Sequence, residues 1–120
     1  MFNIGIVGAG IGGLSAGLML KTYGHQVTIF EKKPATFSSG VGIQVSSNAI
    51  RILREFDLED DIIKSGNYPL VVDCINGHSS KKITSIPLGE YAKKKFNAGF
   101  YQLHRNDLIS ILKIKPMILV

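Results

Sequence analysis

Residues 3–33 read NIGIVGAGIGGLSAGLMLKTYGHQVTIFEKK. A β-branched run (Ile4, Ile6, Val7) stops at Gly8, and a leucine-rich helical pattern begins at Ile11, with Leu14 and Leu18 continuing one apolar stripe. Gly24 is placed to end that helix, and a second strand-like run, Gln26-Val-Thr-Ile-Phe30, finishes at Glu31. Gly8, Gly10 and Gly13 therefore stand between a strand and a helix, where each has a mechanical task. Gly8 makes a tight turn, Gly10 lacks a Cβ and lets an anion come close, and Gly13 lets the helix lie against the strand. Free N–H groups at the helix start are suited to phosphates. Glu31 lies 18 residues beyond Gly13, where a carboxylate can accept hydrogen bonds from a ribose 2′-OH and repel a 2′-phosphate. The stretch predicts a dinucleotide-binding βαβ unit that takes FAD or NAD rather than NADP.

A membrane or export reading of the same stretch is weaker. Residues 4–20 are 17 uncharged residues, and Gly8/Gly12 and Gly13/Gly17 supply the spacing of packed membrane helices. No basic residue precedes the run, six of its 17 residues are glycine, and it is shorter than a spanning helix usually needs. No membrane span is expected.

The remaining composition narrows the function. At 120 residues the chain holds one domain at most, and 45% hydrophobic with 19% charged residues describes a globular chain. Cys74 is the sole cysteine, so no internal disulfide can form and a reducing, cytoplasmic location is the default. Cys74, His25, His78 and His104 lack metal-ligand spacing, so no metal is expected. Residues 1–60 carry five basic and five acidic side chains, so the net charge of +5 falls in the second half. Its dense cluster, Lys93-Lys94-Lys95, reads as a solvated loop face. No basic stripe with stacking aromatics accompanies it, so nucleic acid is not an expected partner.

Beyond the first unit, Pro34 breaks the chain into a Gly/Ser-rich stretch over 36–42, followed by a helix over about 47–55 with Ile50, Leu53 and Leu58 facing inward. Ser46 and Ser47 are both candidate caps. Residues 70–75 and 81–86 read as two strands around Asn76-Gly77-His78-Ser79, a hairpin signal. A strand over 100–104 leads into a helix from Arg105 to about Lys113, stopped by Pro116. Within the apolar run Met117–Val120, residues 118–120 are expected to be either a short extended segment against residues 4–7 or a disordered, aggregation-prone tail, and not to continue the helix. The expected fold class is α/β, an incomplete Rossmann-like (FAD/NAD(P)-binding) βαβ unit with a small β-rich segment after the second helix. Its divisions are residues 1–33 for the fingerprint, 34–66 for a flavin-side loop and second helix, 67–104 for the β-rich part, and 105–120 for a helix and apolar tail.

Three segments together carry a family resemblance. Gly8-x-Gly10-x-x-Gly13-x-x-x-Gly17 with Glu31 resembles the FAD-binding start of class A flavoprotein monooxygenases, the salicylate- and para-hydroxybenzoate-hydroxylase-like family. Gly40-Val-Gly42-Ile-Gln44-Val-Ser-Ser-Asn48-Ala49 is similar to that family's segment beside the flavin, and His104-Arg105-Asn106-Asp107-Leu108 to its His-Arg-x-Asp-Leu helix start. The resemblance implies cofactor contacts at Gly8, Gly10, Ile11, Gly12, Gly13, Glu31, Lys32, Gly42, Gln44 and Arg105. It also implies FAD as cofactor, NAD(P)H as electron donor, and hydroxylation of a small aromatic-type substrate with O₂. From the residues alone, Gln44 reads equally as a solvated strand position, and Arg105 as a surface partner of Asp107 or Glu90. The family's later Asp-Gly and Gly-Asp motifs are missing from the sequence, so the chain reads as truncated and as inactive alone. No Ser/His/Asp or Cys/His constellation is present, and no catalytic residue is assigned. Two other readings stay open: an NAD-binding dehydrogenase domain, and a non-catalytic nucleotide-binding fragment.

Overall fold

The structure, a computed structural model, describes residues 1–33, 41–113 and 118–120. The expected breaks at Pro34 and Pro116 lie outside the described residues, as does the Gly/Ser-rich stretch as far as Gly40. The chain divides into two units. Residues 1–41 and 104–120 form the first, and residues 42–103 the second.

In the first unit β1 (Asn3–Val7) leads through α1 (Ile11–Thr22) to β2 (Gln26–Phe30), and the two strands pair in parallel from Asn3↔Gln26 to Val7↔Phe30. Period-two alternation sorts their side chains. Val27 and Ile29 are buried and Ile4 and Ile6 half-buried on the helix-covered face, where the space over Gly13 is bounded by Ile6 Cγ2. Gly5 and Phe30 share the other face, with the Phe30 ring close over Gly5. Leu14 and Leu18 of α1 complete the core, each burial worth about 2 kcal/mol. Gly24, at φ +81°, ends the α1 region as its position suggests.

After the second unit, α5 (Arg105–Lys113) packs on α1 through an apolar face of Leu108, Ile111 and Leu112. Then β7 (Ile118–Leu119) joins the sheet. Residues 118–119 are extended and not helical, but they do not lie against residues 4–7. They pair in parallel with β2, Thr28↔Ile118 and Ile29↔Leu119, giving the order β1-β2-β7. Handedness explains the correction. Parallel crossovers are right-handed, so a helix on the same face as α1 must deliver its strand one step further in the same direction, beyond β2. A strand beside β1 would have required α5 on the opposite face.

The second unit begins with β3 (Gly42–Val45), which pairs with β6 (Tyr101–His104). Between them lie α2 (Ser47–Glu55), α3 (Glu59–Ser65), β4 (Val71–Ile75), β5 (Lys82–Pro87) and α4 (Gly89–Phe96). Ile50, Leu53 and Leu58 are buried as the sequence predicts, joined by Ile62. Ser46 is the residue before α2, but its hydroxyl bonds the Asn48 side chain rather than a backbone N–H. Two helices, α3 and α4, lie where the sequence pattern predicts none. α3 opens with Glu59, Asp60 and Asp61, and α4 ends with Lys93, Lys94 and Lys95, so each places the charge that suits its end of the dipole. The lysine cluster is thus a helix terminus and not a loop. Arg54 ties α2 to both neighbours, pairing with Glu59 and donating to the Asn97 carbonyl at 3.0 Å. The β4–β5 hairpin forms as expected, with a bulge at Cys74/Ile75.

Candidate functional site

The first unit's site grows from the loop between β1 and α1. Gly8 has φ +102°, a conformation that a Cβ would strain, and its N–H donates to the Phe30 carbonyl at 2.7 Å. Gly13 is constrained by space instead. A Cβ there would lie 1.9 Å from the Gly8 carbonyl oxygen, so helix and turn touch backbone to backbone. Gly10 precedes the helix in an extended conformation (φ −74°, ψ −179°) that any residue can adopt. What its missing side chain leaves is room, bounded among the described residues by the Arg105 guanidinium 3.7 Å from the Cβ position. Gly12 is exposed and faces open space.

The start of α1 is polar in its backbone alone. Leu14 N–H is the first to bond within the helix, to the Gly10 carbonyl at 2.9 Å, so Ile11, Gly12 and Gly13 precede the helical ladder. Among the described residues no side chain caps this end, and its first turn holds no acidic residue. The N–H groups and the positive dipole end are therefore open to an anion.

Glu31 stands at the tip of β2, half-buried, and its carboxylate is engaged. Oε2 accepts from the Ala9 N–H at 2.7 Å and Oε1 from the Lys33 N–H at 2.9 Å. These two bonds, the Ala9 bond first, hold its pKa below the usual glutamate value, with the Lys33 and Lys32 charges adding smaller effects. Lys32 itself is exposed beside the acid. Ala9 is the residue that sequence reasoning missed. The Val7↔Phe30 register sets the residue after β2 beside the turn after β1, and that adjacency was available from the motif.

Arg105 opens α5, its N–H donating to the Val41 carbonyl at 2.9 Å. The structure thus brings together Gly8, Gly10, Ile11, Gly12, Gly13, Glu31, Lys32 and Arg105 in one unit. Gly42 and Gln44 belong to the second unit, where both lie on the exposed face of β3 while Val45 is buried. Elsewhere in that unit, burial and then the Glu90 bond push the Tyr68 hydroxyl up to about 12. Among the described residues no group of three or more His, Cys, Asp or Glu is placed to hold a metal, and no helix is long and apolar enough to cross a membrane.

An uncapped helix start, an open glycine beside a guanidinium, and an acid at the neighbouring strand tip define a dinucleotide-binding βαβ unit. Residues 1–102 match the family described as FAD binding domain, and the chain belongs to that family. It is 34% identical over 110 residues to a 6-hydroxynicotinate 3-monooxygenase of Pseudomonas fluorescens, covering 92% of this chain and 29% of that protein. A 3-hydroxybenzoate 6-hydroxylase of Aquipseudomonas alcaligenes is also 34% identical, over 92% of this chain and 28% of its own length. Among solved structures, 2-methyl-3-hydroxypyridine-5-carboxylic acid oxygenase superposes with a TM-score of 0.80 at 20% identity, over 99% of this chain and 30% of that one. Klebsiella pneumoniae HpxO complexed with FAD and uric acid gives 0.77 at 21% identity, over 99% and 30%. The chain therefore spans under a third of the length of the relatives it matches, and the two structures share its fold. An NAD-binding dehydrogenase domain would share the turn and the acid, but the family match is to FAD binding.

Proposed function

We propose that the first unit binds the pyrophosphate and adenosine side of FAD, within a flavin-dependent monooxygenase that hydroxylates a small aromatic substrate using NAD(P)H. The observation that carries this reading is the open space at Gly10, between the uncapped α1 terminus and the Arg105 guanidinium. The donor set fits the group. Amides of the 10–13 turn and a guanidinium suit a diphosphate, and the Glu31 carboxylate suits a ribose diol. Ile11, Gly12 and Gly13 would offer N–H groups, Gly10 the clearance, and Lys32 a positive charge near the ribose acid. Gly42 and Gln44 are proposed for the flavin side on the strength of the 40–49 resemblance. Bound FAD would supply hydride acceptance and O₂ chemistry; this chain's residues would bind and orient it. Relatives named for hydroxynicotinate and hydroxybenzoate oxidation support an aromatic substrate, and a cytoplasmic location is proposed with it.

The test is purification of the chain and measurement of its flavin absorbance. One FAD per chain is the expected result. A colourless protein that NAD stabilises and FAD does not would overturn the reading. The activity is tested separately, by adding hydroxynicotinate or hydroxybenzoate and NAD(P)H to a protein of the relatives' full length that begins with this sequence.

A further inference from the structure

Both oxygens of Glu31 are already held by backbone amides before any ligand is considered, and one of those amides belongs to the glycine turn itself. Gly8 N–H reaches the Phe30 carbonyl at 2.7 Å, and Ala9 N–H reaches Glu31 Oε2 at the same distance. Two consecutive turn amides are thus tied to the tip of β2, one through main chain and one through a charged side chain. The Lys33 N–H on Oε1, at 2.9 Å, fixes the carboxylate from its other side. A turn with glycine on both sides of Ala9 has many conformations to lose, and a charge-assisted bond at its centre removes much of that freedom in advance.

We propose that Glu31 is a positioning residue for the glycine turn: through Ala9 it sets the amides of residues 10–13 for an anionic diphosphate, independently of any ribose contact. An ionised carboxylate offers about four acceptor sites, so two amides leave room for ribose hydroxyls as well. The identity of the diphosphate rests on the FAD reading above; the effect on the turn does not.

The experiment uses the chain with Glu31→Ala and Glu31→Gln. Amide hydrogen exchange is followed by NMR without ligand, and binding of ADP and of 2′,3′-dideoxy-ADP is measured by calorimetry. In Glu31→Ala the Ala9 amide is expected to exchange about tenfold faster or more, with Leu18 and Leu112 amides unchanged. Affinity for dideoxy-ADP, which has no ribose diol to lose, is expected to fall about tenfold. Glu31→Gln keeps an acceptor for Ala9 but presents an amide to one backbone N–H, so both effects should be present and about threefold. Unchanged Ala9 exchange, or a loss confined to ADP with dideoxy-ADP unaffected, would overturn the proposal. Should Glu31→Ala also expose Leu18 and Leu112, the same two readings on Glu31→Gln decide it. If the parent chain binds neither FAD nor ADP while Ala9 still responds to Glu31, the cofactor reading fails and the positioning role stands.

Discussion

The turn between β1 and α1 and the tip of the β4–β5 hairpin carry similar sequence signals and are built differently. Both are marked by glycine next to a small or polar residue. In the first, glycine is required twice over, by φ at Gly8 and by space at Gly13. In the second, Gly77 has no positive φ and nothing lies within 4 Å of its Cβ position. Asn76 does the work there. Its Oδ1 accepts from the His78 and Ser79 N–H groups at 2.9 and 3.0 Å, and the left-handed residue is Ser80, at φ +56°. A glycine in a turn motif is essential when backbone must approach backbone, and dispensable when a side chain can close the turn.

The strongest way to break this contrast is Gly13→Ala. The new methyl would meet the Gly8 carbonyl, neither partner is a flexible side chain, and a loss of about 3 kcal/mol or more is expected in denaturant unfolding. FAD binding should go with it. Gly10→Val separates the two causes. Its extended backbone accommodates valine, so the melting temperature should hold, while FAD affinity falls about a hundredfold or more as the branch occupies the open space. A valine variant with unchanged FAD affinity would remove Gly10 from the site.

Glu31 gives an effect set by pH. Its folded pKa lies below the ordinary 4.5, so the stability it contributes is complete above that value. It is lost as pH falls through the depressed folded pKa. Unfolding of the parent and of Glu31→Gln, compared from pH 7 to 3, should differ most at the upper end and converge at the lower. Subtracting the variant removes the parallel contributions of Glu59 and Asp73, whose pKa values are also lowered. The smallest effects belong to the hairpin. Asn76→Ala should cost about 1 kcal/mol and Ser80→Gly should add about 0.5 kcal/mol, while Gly77→Ala stays within about 0.5 kcal/mol of the parent by thermal unfolding. A Gly77→Ala cost equal to that of Gly13→Ala would erase the distinction.

Long periodic segments are legible in the sequence. The bounds of β2 and α2 agree with their patterns, α1 and α5 nearly so, because each presents an apolar stripe to a core. α3 and α4 were hidden because they are short and bury little: Ile62 alone in the first, Gly89 and Ala92 in the second. Pro116 in the sequence argued only against a continued helix; that residues 118–119 pair, and with which strand, depended on which face α5 covers, a property of chain handedness that no local pattern carries. At the site, the glycines and the acid were visible at their spacing. The Ala9–Glu31 bond needed the strand register, and the approach of Arg105 to Gly10, 95 residues away in the chain, needed the fold.

The pairing of β7 has a practical consequence for anyone who trims or tags this chain. Val120 N–H donates to the Ile29 carbonyl, and the Val120 carbonyl accepts from the Glu31 N–H, each at 2.9 Å. The residue that braces the nucleotide turn is itself braced by Val120, beside the third strand. Deleting residues 118–120 would therefore loosen the glycine loop from a distance.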